Sequence, residues 1–230
     1  MRKPTTPSPD DGFERPILTV DIVLLTIREG RLAVALLPRA GEPFAGRPAL
    51  IGGYIHTDED ADAAATVRRI LKAKVGLEGM FFEQLATFAT ERRDPRGWSA
   101  SIAYFALVPP AALPEGEGAA LLLLPADAPG DLPFDHNAII CSAVARLRGK
   151  GGYSTIPARL LPEVFTMPEL QAIYETVLGE RLDQSAFRRK IADLDLLAEM
   201  VGEKRQTDRA RRPTTLYRLR EPVLTFNRRL

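Results

Sequence analysis

Cysteine is almost absent: Cys141 stands alone, so no disulfide can form within the chain. No apolar run approaches the roughly 20 residues that cross a bilayer, which excludes a membrane partner read from hydropathy. Met1–Asp11 is rich in Pro, Ser, Thr and Asp and lacks an apolar centre, so it is not a secretory signal. Net charge is also missing. Thirty-one basic residues face 30 acidic ones, a formal +1, and the whole-chain balance therefore points neither to nucleic acid nor to an anionic surface. Any such signal must be local. No internal repeat is visible, which argues against a solenoid. What remains is an ordinary globular composition, 45% hydrophobic and 27% charged, expected in the cytoplasm. Domains commonly run to about 100–150 residues, so 230 residues suit two modest cores.

Residues 1–16 read as a flexible arm, in which Arg2 and Lys3 offer at most a minor contact. Leu18–Arg28 and Arg31–Pro38, both rich in aliphatic and β-branched residues and separated by Glu29-Gly30, read as a hairpin. Ala49–Ile55 follows as another strand-like stretch. Asp60–Val75 is then alanine-rich, and Ala64, Val67, Leu71 and Val75 recur on one helical face before Gly76 ends it. Phe82–Thr90 and Ser99–Val108 are strand candidates around the loop Glu91–Trp98. Pro109–Pro133 reads as a surface connection with one short buried run, Leu121–Leu124. In Asp135–Leu147, the residues Ile139, Ile140, Ala143, Val144 and Leu147 form a helical stripe, with Gly149, Gly151 and Gly152 expected to terminate it. A domain boundary is placed there, giving 17–149 and 153–230.

Past the boundary, Thr166 and Glu169 have capping-box spacing and predict a helix over Met167–Leu178. Gly179–Leu182 makes a tight turn, and Asp183 is a good N-cap for a second helix with Phe187, Ile191 and Leu194 inward. At about 100° per residue, Ser185, Arg188, Arg189 and Ala192 then face away from that core. A strand from Leu196, a basic tip (Gly202–Pro213) and a strand at Thr214–Leu219 read as a wing. From Gly202 to Leu230 there are nine Lys/Arg against three Asp/Glu. Lys204, Arg205, Arg209, Arg211 and Arg212 are candidates for phosphate contacts, whereas Ser185, Arg188 and Arg189 are candidates for a major groove.

The first half resembles the Nudix hydrolase fold over about residues 17–148. Ile51-Gly52-Gly53-Tyr54-Ile55 matches the opening of the motif G-x5-E-x7-R-E-U-x-E-E-x-G-U, and Arg69, Leu71, Gly76 and Leu77 match its end. The resemblance implies an α/β/α sandwich around a mixed sheet. It also implies glutamates that hold metal against a pyrophosphate, but Ile70, Ala73 and Lys74 occupy those positions, and Glu59 is left as a remnant two residues out of register. A hard cation needs oxygen ligands, so no metal and no catalytic residue is assigned, and no cofactor is expected. Lys74 would place a positive charge at the vacated site. Candidate contacts for a nucleotide-like ligand are Arg39, Phe44, Gly52, Gly53, Lys74, Arg92, Arg93, Asp94 and Trp98, because guanidinium forks suit pyrophosphate and rings stack on bases. His56 reads as a polar loop residue and His136 as part of the first turn of its helix.

Taken together, degenerate Nudix domain first and winged helix-turn-helix second, an α+β chain overall, the sequence resembles the NrtR-type Nudix-related transcriptional regulators. That resemblance implies a homodimeric repressor on a palindromic double-stranded operator near NAD-metabolism genes, released by ADP-ribose or a related nucleotide. Two alternatives stay open: an active ADP-ribose pyrophosphatase, and a regulator of the same architecture answering to a carbohydrate-pathway effector.

Overall fold

The computed structural model describes residues 15–114, 121–205, 213–220 and 225–226, with the side chains of Glu203 and Lys204 left aside. Its first half is built on one mixed sheet. β1 (Ile17–Arg28) lies at the centre, and β2 (Arg31–Pro38), β3 (Pro48–Ala49), β4 (Ile51–Tyr54), β5 (Phe81–Thr90), β6 (Ser99–Leu107) and β7 (Leu122–Pro125) surround it. The order is β3-β2-β1-β6-β5, with β4 also on β1 and β7 on β2. Only β1 and β6 run parallel; every other pair is antiparallel.

The near-continuous apolar run of β1 follows from its being covered on both faces. Val20, Ile22 and Leu24 pack with Val67, Ile70 and Leu71 of α1 (Ala63–Val75). Val23 and Leu25 point the other way, toward Ile139, Ile140 and Ala143 of α2 (His136–Gly151). The period of two along the strand thus sorts its side chains between two helices and makes the expected sandwich. Helix α1 starts later than the sequence reading had it: Asp62 is the N-cap, accepting from the Ala65 amide at 2.6 Å, and Asp60 stays in the loop before it. Gly76 ends it in the left-handed region, φ 66°.

One expectation fails here. Leu122–Pro125 is a half-exposed edge strand on β2 rather than a buried run. Helix α2 passes through Gly149 and ends, as expected, at Gly151 with Gly152 as its C-cap. A β-carbon on Gly151 would sit 3.2 Å from Val177 Cγ1 and 3.3 Å from Leu178 Cδ2, so its bareness lets the next helix approach.

The second half has its own cluster, Phe165, Leu170, Tyr174, Phe187, Ile191, Leu196 and Phe226 among its members. Helix α3 (Met167–Leu178) opens on the complete capping box of Thr166 and Glu169 and closes on Gly179, φ 76°. Helix α4 (Gln184–Asp193) is capped by the Asp183 side chain, 2.8 Å from the Ala186 amide. The turn between them is pinned, since Glu175 Oε1 accepts from the Leu182 amide and Gln171 donates to the Leu182 carbonyl. A three-stranded sheet completes this half. β8 (Phe165–Thr166), which periodicity did not reveal, pairs with β10 (Thr214–Leu219), and β10 pairs with β9 (Leu197–Arg205).

The halves are not separated by a bare linker. Ile156 and Leu160, in a 3-10 turn, and Ile173 and Val177 of α3 join the same buried cluster as Val23, Leu147 and the α2 stripe. The Thr176 hydroxyl donates to the Gly30 carbonyl at 3.3 Å.

Candidate functional site

Where β1, β4 and the start of α2 meet, the sheet opens into a cleft of about 440 Å³. Asp21, the one carboxylate on the buried length of β1, lies opposite Gly52 of β4. The approach is so close that a β-carbon on Gly52 would fall 2.3 Å from Asp21 Oδ1 and 2.7 Å from the Val20 carbonyl. Only glycine fits.

Asp21 belongs to an ionic network at the base of the cleft. Arg93, 7% exposed, donates to both carboxylate oxygens of Asp135 at 3.0 Å, to Asp21 Oδ2 at 3.3 Å and to the Ser99 hydroxyl at 3.3 Å. Burial alone would lower the Arg93 pKa; the hydrogen bond and charge of Asp135, then those of Asp21, outweigh it and raise it. His136 is buried beside this network. Its Nδ1 accepts from the Leu50 amide at 3.2 Å, so the ring is neutral with its proton on Nε2, 3.9 Å from Asp21 Oδ1. Burial pushes its pKa below the ordinary 6.5, against the opposing pull of Asp21 and Asp135.

The walls are aromatic and cationic. Arg39 lies over the Phe134 ring at 4.6 Å and donates to the Pro43 carbonyl. Across the cleft, Arg96 donates to the Tyr54 hydroxyl at 2.6 Å and forms a two-pronged pair with Asp94. Burial opposes that pair, but the hydrogen bonds from Arg96 prevail and lower the Asp94 pKa. Lys74 reaches in from the last turn of α1, its Nζ donating to the Gly52 carbonyl at 2.5 Å. Partial withdrawal from water and then the Arg39 charge lower its pKa, which marks a cation without a full counter-charge.

Of the residues chosen from sequence, Arg39, Gly52, Gly53, Lys74, Arg93 and Asp94 line the cleft together. Phe44 stands one layer behind, edge-on to Phe134 at 5.1 Å. Arg92 and Trp98 are off the lining, and Trp98 is 47% exposed. Arg93 and Asp94 are committed to internal pairs, so neither presents a free charge. Sequence reasoning passed over Asp21, Tyr54, Arg96, Phe134 and His136. Only Asp21 carried a plain signal, a lone carboxylate in an apolar strand.

The motif positions can also be placed. Ile70 is 2% exposed and packs in the α1 core, 3.3 Å from where a Gly53 β-carbon would be. Glu59 hydrogen-bonds His56 and lies 3.5 Å from Arg69. The principal partner of Arg69 is instead Asp60, gripped at 2.9 and 2.6 Å, and Arg69 also donates to the Tyr54 carbonyl. The Arg69 hydrogen bond, against the cost of burial, holds the Asp60 carboxyl well below the usual carboxylate range. Among the described residues, no group of three or more His, Cys, Asp or Glu is placed to hold a metal ion.

On the second half, Ser185, Arg188, Arg189 and Ala192 all lie on the exposed face of α4, with Phe187 and Ile191 buried behind them. Arg205 is less free than the sequence suggested, because its guanidinium donates to Glu169 at 2.5 Å. The Lys204 side chain and Arg209, Arg211 and Arg212 lie outside the described residues, as do Arg2 and Lys3. No helix among the described residues is long and apolar enough to cross a membrane.

Comparison with known proteins agrees with both halves. The family pattern for the NrtR DNA-binding winged helix domain matches residues 157–219. The chain is 34% identical over 219 residues to the ADPR responsive transcriptional repressor NtrR of Acinetobacter baylyi, covering 94% of this chain and 86% of that one. Shewanella oneidensis NrtR, solved in complex with a 27mer DNA, superposes with a TM-score of 0.85 at 36% identity, over 93% of this chain and 99% of the other. The isolated Nudix domain of the Shewanella protein, solved with ADP ribose, matches 61% of this chain and 94% of its own at 35% identity and a TM-score of 0.54. With a cleft in a Nudix sandwich, a winged helix behind it and relatives that align along nearly its whole length, the chain belongs to the NrtR family.

Proposed function

We propose that this protein is an ADP-ribose-responsive transcriptional repressor, in which residues 17–149 sense the ligand and residues 153–230 bind operator DNA in the cytoplasm. The observation that carries the reading is the union, in one chain, of a cationic cleft poor in free carboxylates and an exposed arginine face. A relative solved on DNA matches 93% of the chain in the same order, and the Acinetobacter relative is described as ADPR responsive.

In the cleft, Lys74 and Arg39 bind the diphosphate, and Phe134 and Tyr54 supply the rings against which a base or ribose packs. Lys74 stands where the hydrolase motif has a glutamate, and Ile70 and Ala73 replace the other two. A cation there attracts the diphosphate but cannot generate a metal-bound hydroxide, so the ligand is held and not cleaved. On DNA, Ser185, Arg188 and Arg189 enter the major groove, the wing contacts phosphates, and a twofold dimer matches a palindromic operator. The genes controlled are those of NAD metabolism. Release requires ADP-ribose to bind the DNA-incompetent arrangement more tightly than the competent one, since a ligand without preference shifts nothing.

The test is fluorescence anisotropy of labelled promoter DNA from NAD-biosynthesis genes, titrated with protein with and without ADP-ribose, the nucleotide being checked afterwards by chromatography. Specific binding weakened by intact ADP-ribose is expected. Specific binding indifferent to ADP-ribose overturns the effector, and rapid consumption of ADP-ribose overturns the non-catalytic reading of Lys74.

A further inference from the structure

A second cavity, about 770 Å³, lies between the end of the N-terminal sheet and the root of the wing. Phe81 at the start of β5 and Leu107 at the end of β6 form an apolar wall; the 3-10 turn Ile156–Leu160 and strand β10 form the other side. That other side carries three guanidinium groups, Arg159, Arg218 and Arg220, and one carboxylate, the exposed Glu163.

The arginines differ from those elsewhere in the molecule. Arg69, Arg93, Arg96 and Arg146 are each held by a carboxylate of the chain, and Arg220 is 3.2 Å from Asp195. Arg159 and Arg218 have no hydrogen-bond or ion-pair partner among the described residues. Arg159 Nε is moreover shut off from solvent with no acceptor among the described residues, and burial lowers the guanidinium pKa. A shielded N–H of a charged group costs free energy while it lacks an acceptor. Nε itself is as closed to an incoming ligand as to water, but an anion in the groove would compensate the guanidinium charge and accept from its terminal N–H groups, whose fork suits phosphate oxygens in particular.

We infer that this groove binds a small phosphomonoester bearing hydroxyls, its phosphate taken by Arg159 and Arg218 and a hydroxyl donating to Glu163. Glu163 repels a bare polyanion but accepts from a sugar hydroxyl, which separates this class from inorganic phosphate. Because its walls come from both halves, occupancy is tied to their relative placement. Any effect of the ligand on operator affinity must then be matched by an equal effect of operator on ligand affinity. The inference does not depend on ADP-ribose filling the first cleft.

The experiment titrates the full chain with ribose 5-phosphate by isothermal calorimetry, comparing the wild type with Arg159→Gln, Arg218→Gln and the cleft variant Lys74→Gln, and with inorganic phosphate as a second probe. Saturable binding is expected that survives Lys74→Gln, falls about tenfold or more in each arginine variant, equivalent to about 1.4 kcal/mol, and is weaker for inorganic phosphate. If Arg159→Gln fails to fold by circular dichroism, Arg218→Gln, exposed and unpaired, decides. The inference is overturned by an absence of saturable binding, by wild-type affinity in the folded arginine variants, by loss of binding in Lys74→Gln alone, or by inorganic phosphate binding at least as tightly. It is equally overturned if Arg218→Gln lowers operator affinity and its salt dependence without ligand, since the groove would then be a DNA-phosphate contact.

Discussion

Arginine does opposite work in two parts of this molecule. In the cleft of the N-terminal half, Arg93 and Arg96 are satisfied by carboxylates of the chain itself, Asp135, Asp21 and Asp94. On α4, Arg188 and Arg189 stand exposed, with no such pair formed among the described residues. The first kind positions loops and walls; the second leaves its donors open to solvent. A count of positive charge cannot tell them apart, which is why a chain with a formal charge of +1 can still present a face suited to DNA.

The sharpest way to break the contrast is Arg93→Met. It leaves the buried Asp21 and the half-buried Asp135 without their cation, and a loss of about 3 kcal/mol is expected in urea denaturation; a neutral result would mean the network is not structural. Arg188→Ala and Arg189→Ala should do the reverse. Each is expected to cost about 1–3 kcal/mol of operator affinity by anisotropy, while unfolding stability stays within about 0.5 kcal/mol. Glu169→Gln moves one residue from the first kind to the second by releasing Arg205. The salt dependence of DNA binding should steepen by about one phosphate contact, and an unchanged slope would show that Arg205 does not reach the backbone.

The smallest effect concerns pH. The pKa of His136 is lowered on folding, so its contribution to stability is whole above about 6.5 and is lost as pH falls from there through the lower folded value. Asp60, also lowered on folding, loses its contribution only in the more acid range below 3.8. A His136→Gln variant should therefore flatten stability against pH on the acid side of 6.5 and leave the more acid limb in place.

Much of the fold was legible because its signals are local. Thr166, Glu169, Gly179 and Asp183 each act within one helical turn of themselves, so their spacing alone placed α3 and α4. Strand β7 was not legible as a strand, because its identity comes from pairing with β2, far away in sequence. Nor was the second role of Gly151, which ends α2 and by its bareness also admits Val177 of the next helix. The cleft was half legible. Gly52, Gly53 and Lys74 sit in a recognisable motif, and Arg39 ends a strand. Phe134 and Tyr54, however, meet only in three dimensions, and nothing in the loop Glu91–Trp98 distinguishes Arg96, which reaches Tyr54, from Arg92, which does not.

Helix α2 begins at the Asp135 and His136 end of the cleft and finishes at Gly151, against Val177 of the helix that leads into α4. Its 16 residues make a rod about 24 Å long, one end set on the cleft and the other against close-packed interior that hardly compresses. Such a rod has no slack. A ligand that displaced the Arg93–Asp135 pair would swing a lever and not slacken a tether, so its effect on the DNA face would be a change of angle.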